Sequence, residues 1–410
     1  MAPGLLSYVP IVNRFVPDAE RAHAAIDIPP VEVHDVETDN DRRARCLKHL
    51  LRANHVNHSV IYHNLRFDNH APHILCSAYL LGADERQLQT IYETEAKELE
   101  PWKASPAEVT EDDWRDLLGD RTYQRAYIDF FEDSLAYSSY DWKKVVDKFI
   151  FTGEEPLVHG LICGLGHPLI HLGYAYEMNS KEIAIEALTL AATQYDYLHK
   201  YLDDKSYTRC APFSSKSTLE LVDKLAADSR LDGLFKKPAF ENIDVLFDKH
   251  ESIVLEYWNA WTITDPAKQF EESQELAVAL LVATVPRGTH GYNFFIVHLL
   301  TSSHAVRILL PFIPAKFHIA LVREWWLLVL AVYISMLRPK IDSVNVETDL
   351  KARHWGHVEH EALNSQWATD SHYIKAIRAM KEAASTWGDV HERYLASALT
   401  FVDNFRGWTF

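Results

Sequence analysis

The stretch Trp325-Trp-Leu-Leu-Val-Leu-Ala-Val-Tyr-Ile-Ser-Met-Leu337 is the most apolar part of this sequence. Its 13 residues are fewer than the roughly 20 that a helix needs to cross a bilayer. A run of this length and composition is typical of a helix in the core of a globular protein. We therefore expect a buried helix here and no membrane-spanning segment.

Helical periodicity extends through most of the remaining chain, and sustained alternation of apolar and polar residues is nearly absent. Thr110-Glu-Asp-Asp-Trp114 is expected to open one helix, and Gly153-Glu-Glu-Pro156 to close another. Pro311 to Pro314 indicates a turn before the Trp-rich helix. A further helix is expected after the cap signal Asn179-Ser180, with apolar positions at Ile183, Ala187, Leu190, Ala191 and Leu198. The sequence predicts an all-α fold.

The domain organisation predicted from the sequence is a single helical domain over residues 1–410. The segment 203–238, which contains Cys210-Ala-Pro and Gly233-Leu-Phe-Lys-Lys-Pro238, is expected to be an irregular connection between an N-terminal and a C-terminal half. The candidate ligands described below fall on both sides of this segment. A site shared between the halves makes them one functional unit.

Composition excludes several classes of protein. Lys and Arg number 41 against 58 Asp and Glu, a formal charge of −17, so nucleic acid is not an expected partner. The four cysteines are scattered and form no CxxC pair, which is typical of a reducing compartment. The N-terminal Met1-Ala-Pro-Gly-Leu-Leu-Ser-Tyr8 lacks the pattern of a secretory signal, so a cytoplasmic location is expected.

Histidines are the informative residues, because many of the 22 fall in apolar, helix-patterned segments. The densest case is His159-Gly-Leu-Ile-Cys-Gly-Leu-Gly-His167-Pro-Leu-Ile-His171-Leu-Gly-Tyr174. On a helix, the spacing of His167 and His171 places both rings on one face, within reach of one ion. Neutral imidazole is a common ligand of iron and zinc. The alternative is that both rings are core residues bonded to backbone carbonyls.

Three other segments carry histidines in similar settings: Asn69-His70-Ala-Pro-His73-Ile-Leu75, Phe294-Phe-Ile-Val-His298-Leu-Leu300 and Asp370-Ser-His372-Tyr-Ile-Lys375. His70 and His73, three residues apart, can face one cavity. Taken alone, the segment of His70 and His73 is more often a helix cap with a hydrogen-bonded core histidine, and the single buried His298 is a weak signal. Together, the four segments predict one metal site that forms only when the chain folds.

Lys375 is the unusual residue among these candidates. Its neighbours Tyr373, Ile374, Ala376 and Ile377 indicate that its stem is buried. A buried lysine has a lowered pKa, and its neutral amine can add carbon dioxide to become an anionic carbamate that binds metal as a carboxylate does. The alternative is that the amine extends along the surface to solvent.

Several catalytic motifs are absent from the sequence. Gly160-Leu-Ile-Cys-Gly164-Leu-Gly166 follows no predicted strand and lacks the order of a dinucleotide-binding loop. The sequence has no HExxH zinc motif, no Walker A motif, no Gly-x-Ser-x-Gly elbow and no papain-like cysteine signature. These absences favour metal chemistry that uses other ligands.

The chain resembles the questin oxidase-like family of fungal natural-product enzymes. The resemblance rests on four motifs: Asn69-His70-x-x-His73-x-Leu75 with Leu81-Gly-Ala83, Gly166-His167-Pro-Leu-Ile-His171-Leu-Gly-Tyr174 with Glu177, His298-Leu-Leu-Thr301-Ser-Ser303, and Asp370-x-His372-x-x-Lys375-Ala-x-Arg378. It implies oxidative opening of aromatic polyketide rings, typically those of an anthraquinone. Because no flavin or nicotinamide fold is visible, it favours a non-haem Fe(II) centre held by histidines and a carboxylated lysine.

The resemblance does not say which histidines bind the metal. We rank His167, His171, His73 and His298 ahead of His70 and His372, with Lys375 as a carbamate ligand. An iron site needs an open position for dioxygen or substrate, so these seven residues do not all bind at once. Thr301, or whichever of His70 and His58 is free of metal, is expected to hydrogen-bond the substrate and assist proton transfer.

Two other functions stay open at this point. One is a Baeyer–Villiger-type monooxygenase that uses NADPH through a flavin partner or an unrecognised site. The other is a non-catalytic helical scaffold whose histidines are core residues. A requirement for NADPH supports the first alternative, and metal analysis of the purified protein separates the second.

Overall fold

The structure, a computed structural model, describes residues 25–347 and 349–410. The N-terminal segment from which the cytoplasmic location is predicted lies outside this range, so that location stays a prediction. The all-α prediction is confirmed. The described part of the chain forms sixteen α-helices: α1 Arg42–Asn57, α2 Ala71–Leu80, α3 Glu85–Glu95, α4 Gln124–Tyr137, α5 Trp142–Ile150, α6 Cys163–Met178, α7 Lys181–Thr193, α8 Lys200–Asp203, α9 Thr218–Ala226, α10 Asn242–Ala260, α11 Pro266–Val282, α12 Val297–Leu309, α13 His318–Ser335, α14 Trp355–Asn364, α15 Ser371–Trp387 and α16 Arg393–Asn404.

Strand structure in the described residues is limited to two short ladders. Strands β1 (Ile61–Tyr62) and β2 (Phe67–Asp68) pair antiparallel just before α2. Strands β3 (Tyr292–Asn293) and β4 (Trp408–Thr409) pair in parallel, so the end of the chain lies beside the segment that leads into α12.

Four helices surround the centre of the molecule. Helix α6 packs against α2, α7 and α12, while α15 packs against α2, α12 and α16. The helices α2, α6, α12 and α15 therefore form a closed ring in which each contacts two others. Each carries one of the four histidine-containing motifs, so the packing of the core brings those motifs together.

Helix α6 has an unusual start that its sequence explains. Gly164, Leu165 and Gly166 adopt left-handed backbone angles with φ of 57°, 59° and 79°. Regular helix follows from His167, and Pro168 in its first turn needs no amide hydrogen there. One turn later, a Cβ on Gly173 would lie 3.2 Å from the backbone of Ala305 on α12. Glycine at this position permits the close approach of α6 and α12.

Local signals predicted some helix ends and missed others. The Ser180 hydroxyl accepts a hydrogen bond from the Ile183 amide and caps α7, as expected. The predicted helix at Thr110 is wrong, because residues 111–119 form turns in which Asp113 bonds back to Thr110. The segment 203–238 is also less irregular than predicted, since it contains the helix α9.

The Trp-rich helix is longer than its apolar run. With the preceding turn it covers Ala315–Ser335, 21 residues that by length and composition alone are enough to cross a membrane. However, 83% of its apolar window is buried inside the protein. Trp325 and Trp326 are fully buried and donate their indole N–H groups to the carbonyls of Leu299 and Tyr257. This helix therefore packs as the core helix that its sequence predicts.

Candidate metal centre

Four histidine rings meet where α2, α6, α12 and α15 converge. One ring nitrogen from each of His70, His167, His298 and His372 lies within 4.8 Å of the others. The ring centroids form a closed circuit, with separations of 4.8 Å from His70 to His167, 5.1 Å from His167 to His298, 4.8 Å from His298 to His372 and 4.6 Å from His372 to His70. We refer to these residues as the four-histidine cluster.

Backbone oxygens hold the outer nitrogens of three of these rings. The Nδ1 of His70 lies 2.6 Å from the carbonyl of Asp68, and the Nδ1 of His298 lies 2.9 Å from that of Phe294. The Nδ1 of His167 lies 2.6 Å from the carbonyl of Gly164, in the left-handed turn. A carbonyl only accepts, so each Nδ1 carries the hydrogen, and in the neutral ring Nε2 presents a lone pair.

The inner nitrogens face one another across the cluster. The Nε2 atoms of His70 and His167 are 2.9 Å apart, and those of His298 and His372 are 3.2 Å apart. The lone pairs of His70 and His167 at this separation repel each other unless a proton or a cation lies between them. The arrangement fits a bound cation, because each imidazole then directs its lone pair at a positive charge.

Burial keeps these imidazoles in the neutral form that binds metal. It lowers the pKa of His70, His298 and His372 well below the ordinary 6.5, and the positive charge of Lys375 lowers each of them further. Burial also lowers the pKa of His167, although the Asp68 carboxylate opposes this. That carboxylate oxygen lies 3.1 Å from His167 Nδ1. A carboxylate in this position orients a metal-binding imidazole and increases its basicity.

His73, His171 and Lys375 form a second group beside the cluster. His73 Nε2 lies 2.7 Å from His171 Nδ1, and His73 Nδ1 lies 3.4 Å from Lys375 Nζ. The centroid of the His73 ring is 5.4 Å from that of His70. Both nitrogens of His73 are thus occupied by neighbours outside the cluster.

The structure groups the candidate ligands differently from the sequence-based ranking. His70 and His372, which we ranked last, lie in the cluster, whereas His73 and His171 lie in the second group. The expectation that His167 and His171 reach one ion does not fit this geometry. His70 lies at the N-cap position of α2, and His73 lies about one helical turn further on. His70 therefore pairs with His167, and His73 pairs with His171, which lies about one turn further along α6.

Lys375 is buried with 1% of its surface exposed, so the alternative in which its amine extends to solvent is wrong. Burial lowers the pKa of this amine to about 7, although Asp370, Asp68 and Glu95 act to raise it. Burial has the opposite effect on the Glu95 carboxyl, whose pKa it raises to about 7. Near neutral pH, a large fraction of Lys375 therefore carries an uncharged, nucleophilic amine.

The two remaining candidates make contacts of their own. Thr301 is buried on α12, and its hydroxyl lies 3.4 Å from the carbonyl of His298 in the same helix. His58 follows the end of α1, and its ring lies near Tyr92 with centroids 6.3 Å apart. No contact in the described residues joins His58 to the four-histidine cluster.

Aromatic side chains cover one side of the cluster. The ring of Phe294 lies 4.5 Å from that of His372 and 5.2 Å from that of His298. It also lies 4.8 Å from the ring of Phe410, which is 72% exposed. A continuous aromatic surface thus leads from solvent to the His298 and His372 pair. In the second group, Tyr174 stacks on His73 with ring centroids 5.3 Å apart.

Sequence reasoning missed three residues that the structure connects to this region. Asp68 holds His167, and its position two residues before His70 was a signal that reasoning from histidine spacing overlooked. His55 and Glu186 form a buried pair with His55 Nδ1 3.0 Å from a Glu186 carboxylate oxygen. They lie on α1 and α7, outside the four motifs, and no local pattern identifies them.

Comparisons with known proteins agree with the motifs. The family model described as Questin oxidase-like matches residues 67–380, a range that contains all of the cluster and Lys375. A Baeyer-Villiger oxidase of Pestalotiopsis microspora is 26% identical over 380 residues, which are 86% of this chain and 82% of that protein.

Two further relatives carry related names. A Baeyer-Villiger monooxygenase of Aspergillus aculeatus is 26% identical over 376 residues, or 82% of this chain and 77% of that protein. A questin oxidase of Aspergillus terreus is 28% identical over 153 residues, or 35% of this chain and 34% of that protein.

Proposed function

Because this chain belongs to the questin oxidase-like family, we propose that it is an oxidoreductase of fungal secondary metabolism that opens the quinone ring of a hydroxyanthraquinone. Its centre is proposed to be a mononuclear non-haem iron site at His70, His167, His298 and His372. One observation carries this proposal. The Nε2 atoms of His70 and His167 lie 2.9 Å apart while each Nδ1 faces a backbone carbonyl, so the two facing lone pairs need a proton or a cation between them. Burial lowers the pKa of both rings, which disfavours the proton and favours a metal ion.

Iron is favoured among the metals that imidazole binds. Neutral imidazole suits zinc, copper, iron and nickel. The relatives are named oxidases and monooxygenases, and zinc has no redox chemistry to contribute to an oxidation. When bound, ferrous iron supplies the electrons with which dioxygen is activated. The protein holds the donors in place and excludes water, since His298 is fully buried and His167 and His372 are 4% and 6% exposed.

A carbamate on Lys375 is proposed to supply the negative charge that four neutral imidazoles lack. The uncharged amine attacks carbon dioxide, a nitrogen–carbon bond forms, and the nitrogen loses a proton. His73 Nδ1, 3.4 Å from Nζ, is in position to take that proton. The pKa of about 7 supports this step, because the amine is then often uncharged. The carbamate oxygens are hard ligands that favour oxidised iron.

The aromatic side of the cluster is proposed to receive the substrate. Phe294 contacts both His298 and His372, and it continues towards solvent through the exposed Phe410. A flat, largely apolar ring system fits between aromatic side chains in offset or edge-on contacts. The substrate is thus proposed to approach the cluster from this side with dioxygen as co-substrate.

The geometry also changes which residues are proposed to move protons. His70 belongs to the cluster, and the Thr301 hydroxyl lies near its own helix backbone. His58 contacts Tyr92 instead of the cluster. His73 and His171, joined at 2.7 Å beside the cluster, are therefore better placed for proton transfer than any of the three residues predicted from sequence.

A second candidate is a Baeyer–Villiger monooxygenase that consumes NADPH, and the names of two of the reported relatives favour it. Such a reaction inserts one oxygen atom beside a carbonyl and reduces the other to water with electrons from NADPH. The scaffold alternative receives no support from the cluster, because core histidines without a metal would be expected to avoid facing lone pairs.

The deciding experiment compares turnover of a hydroxyanthraquinone by metal-free protein, by protein with ferrous iron, and by protein with NADPH and flavin. Oxygen uptake and ring-opened product are expected with iron alone. His70→Ala and His372→Ala are expected to lose bound iron and product together while keeping their helical circular dichroism. Asp203→Asn, which alters a histidine–carboxylate pair outside the cluster, is the control and is expected to retain both. Turnover without iron that depends on NADPH would overturn the iron proposal.

A further inference from the structure

A line of titratable side chains runs from the second group to the surface through the apolar core. His171 Nε2 lies 3.8 Å from a carboxylate oxygen of Glu186, whose other oxygen lies 3.0 Å from His55 Nδ1. His55 Nε2 in turn lies 3.0 Å from Glu132, whose side chain is 46% exposed. Each of these links joins two different helices.

We propose that Glu132, His55, Glu186, His171 and His73 form a proton path between solvent and Lys375 beside the four-histidine cluster. The geometry supports this, because successive polar atoms, none more than 3.8 Å apart between residues, lead from an exposed carboxylate to a residue with 1% exposure. All its links except that between His171 and Glu186 are 3.4 Å or shorter. The path itself does not depend on the proposed function; only the reaction that would use its protons does.

The transfers balance without any oxidant or reductant. Although burial acts to lower it, Glu132 and Glu186 raise the pKa of His55 to about 9, so at neutral pH both of its ring nitrogens carry protons. His55 passes the Nδ1 proton to Glu186, and once its ring has turned, the bare Nδ1 regains a proton from Glu132.

The Glu186 carboxyl then gives its proton to His171 Nε2. His171 Nδ1 gives one to His73 Nε2, and His73 Nδ1 gives one to the Lys375 side chain. His171 and His73 each gain a proton on one nitrogen as they lose one from the other. Rotation of the His171 and His73 rings, as of the His55 ring, resets the path for the next proton.

A purely structural network does not account for the inner end of this line. His171 Nε2 is buried and has no hydrogen-bond partner among the described residues, although it faces Glu186. A network kept for stability satisfies its buried polar atoms. A relay needs one link that opens and closes. Rotation of the Glu186 carboxylate changes the 3.8 Å distance between its oxygen and His171 Nε2, so this contact is the link that can do so.

The test measures how fast the imidazole N–H protons of His73 and His171 exchange with heavy water. Full-length protein with 15N-labelled histidine is loaded with zinc, which is diamagnetic, so that no turnover is needed. Glu186→Gln and His55→Gln keep the size and polarity of each residue but do not relay protons. In both variants the inner protons are expected to exchange at least about tenfold more slowly, an added barrier of about 1.4 kcal/mol.

Whether the exchange rate of the inner protons falls or rises distinguishes a proton path from a structural role of these residues. A variant that only loosens the fold opens more often and exchanges its buried protons faster. Asp203→Asn alters the 2.6 Å pair with His159, which the path does not include, and is expected not to slow exchange. Unchanged or faster exchange in both path variants, or equal slowing in Asp203→Asn, would overturn the proposal.

A kinetic experiment connects the proton path to the catalysed reaction. If the enzyme turns over with iron, His55→Ala should lower kcat, and free imidazole in the buffer should restore part of it through the space that the side chain leaves. Loss of kcat without rescue by imidazole in His55→Ala counts against the path. Because exchange is measured on the zinc form, failure of the iron chemistry and failure of the path give different results.

Discussion

Acid is expected to destabilise the metal-free protein through its buried histidines, and His171 gives the effect a size. Burial lowers the pKa of His171 to about 3, against an ordinary 6.5. Below pH 6.5, the unfolded chain therefore binds a proton that the folded chain excludes. The stability that depends on this group is fully present above the unfolded pKa and decreases as the pH falls from there towards the folded value.

The magnitude follows from the two pKa values. Between about pH 7.5 and about pH 5.5, excluding this one proton costs about 1.4 kcal/mol, since one unit corresponds to about 1.36 kcal/mol. The net stability of a folded protein is roughly 5–15 kcal/mol. One buried histidine therefore removes a measurable share of it, and the buried histidines of the cluster add to the loss in the same direction.

Urea unfolding of metal-free protein at the two pH values measures this difference. The free energy of unfolding of the wild type should fall by about 1.4 kcal/mol more than that of His171→Gln. His360→Gln removes a side chain that is 69% exposed, and it should keep the wild-type pH dependence. The same pH dependence in the wild type and in His171→Gln would refute the reasoning.

Four further predictions test individual contacts. Asp68→Asn should weaken metal binding about tenfold. This is the low end of the usual range of about 10–100-fold, because the Gly164 carbonyl still holds His167. Competition with a chelator measures the affinity, and an unchanged affinity argues against the role of the carboxylate. Lys375→Ala should lose nearly all activity and Lys375→Glu recover a fraction, whereas an active Lys375→Arg enzyme would exclude the carbamate. Although burial acts to lower it, Glu132 and Glu186 raise the pKa of His55 to about 9. The stability that His55 contributes should thus be complete below pH 6.5 and disappear as the pH rises through about 9, which denaturant titrations of His55→Gln check. Denatured protein should release no flavin, and a stoichiometric amount would favour the NADPH alternative.

The sequence predicted the parts of the fold that depend on local chemistry. Helical spacing identified α7, and the Ser180 cap fixed its start. Apolar composition placed the Trp-rich helix in the core. The helix expected at Thr110 failed because the Asp113 side chain bonds the Thr110 amide and closes a turn, and a cap signal looks the same whether or not a helix follows it.

The residues of the centre were predictable, but their grouping was not. Spacing within one helix favoured His167 with His171, whereas the structure pairs His167 with His70, at the N-cap position of α2, and His171 with His73 in the first turn of α2. That choice depends on how α2 and α6 align, a long-range property that no local pattern records. Glu186 was missed for the same reason, because its partner His55 lies 131 residues away in the sequence. The partner of Asp68 is also distant, at 99 residues, but Asp68 stands two residues before His70 and this local signal was overlooked.

Anomalous diffraction at the iron edge tests the central claim most directly. Crystals grown without oxygen in the presence of ferrous iron are expected to show one peak about 2 Å from the Nε2 atoms of His70, His167, His298 and His372. A peak bound to His73 and His171 instead, or crystals of proven iron content with no peak at the four-histidine cluster, would contradict the claim.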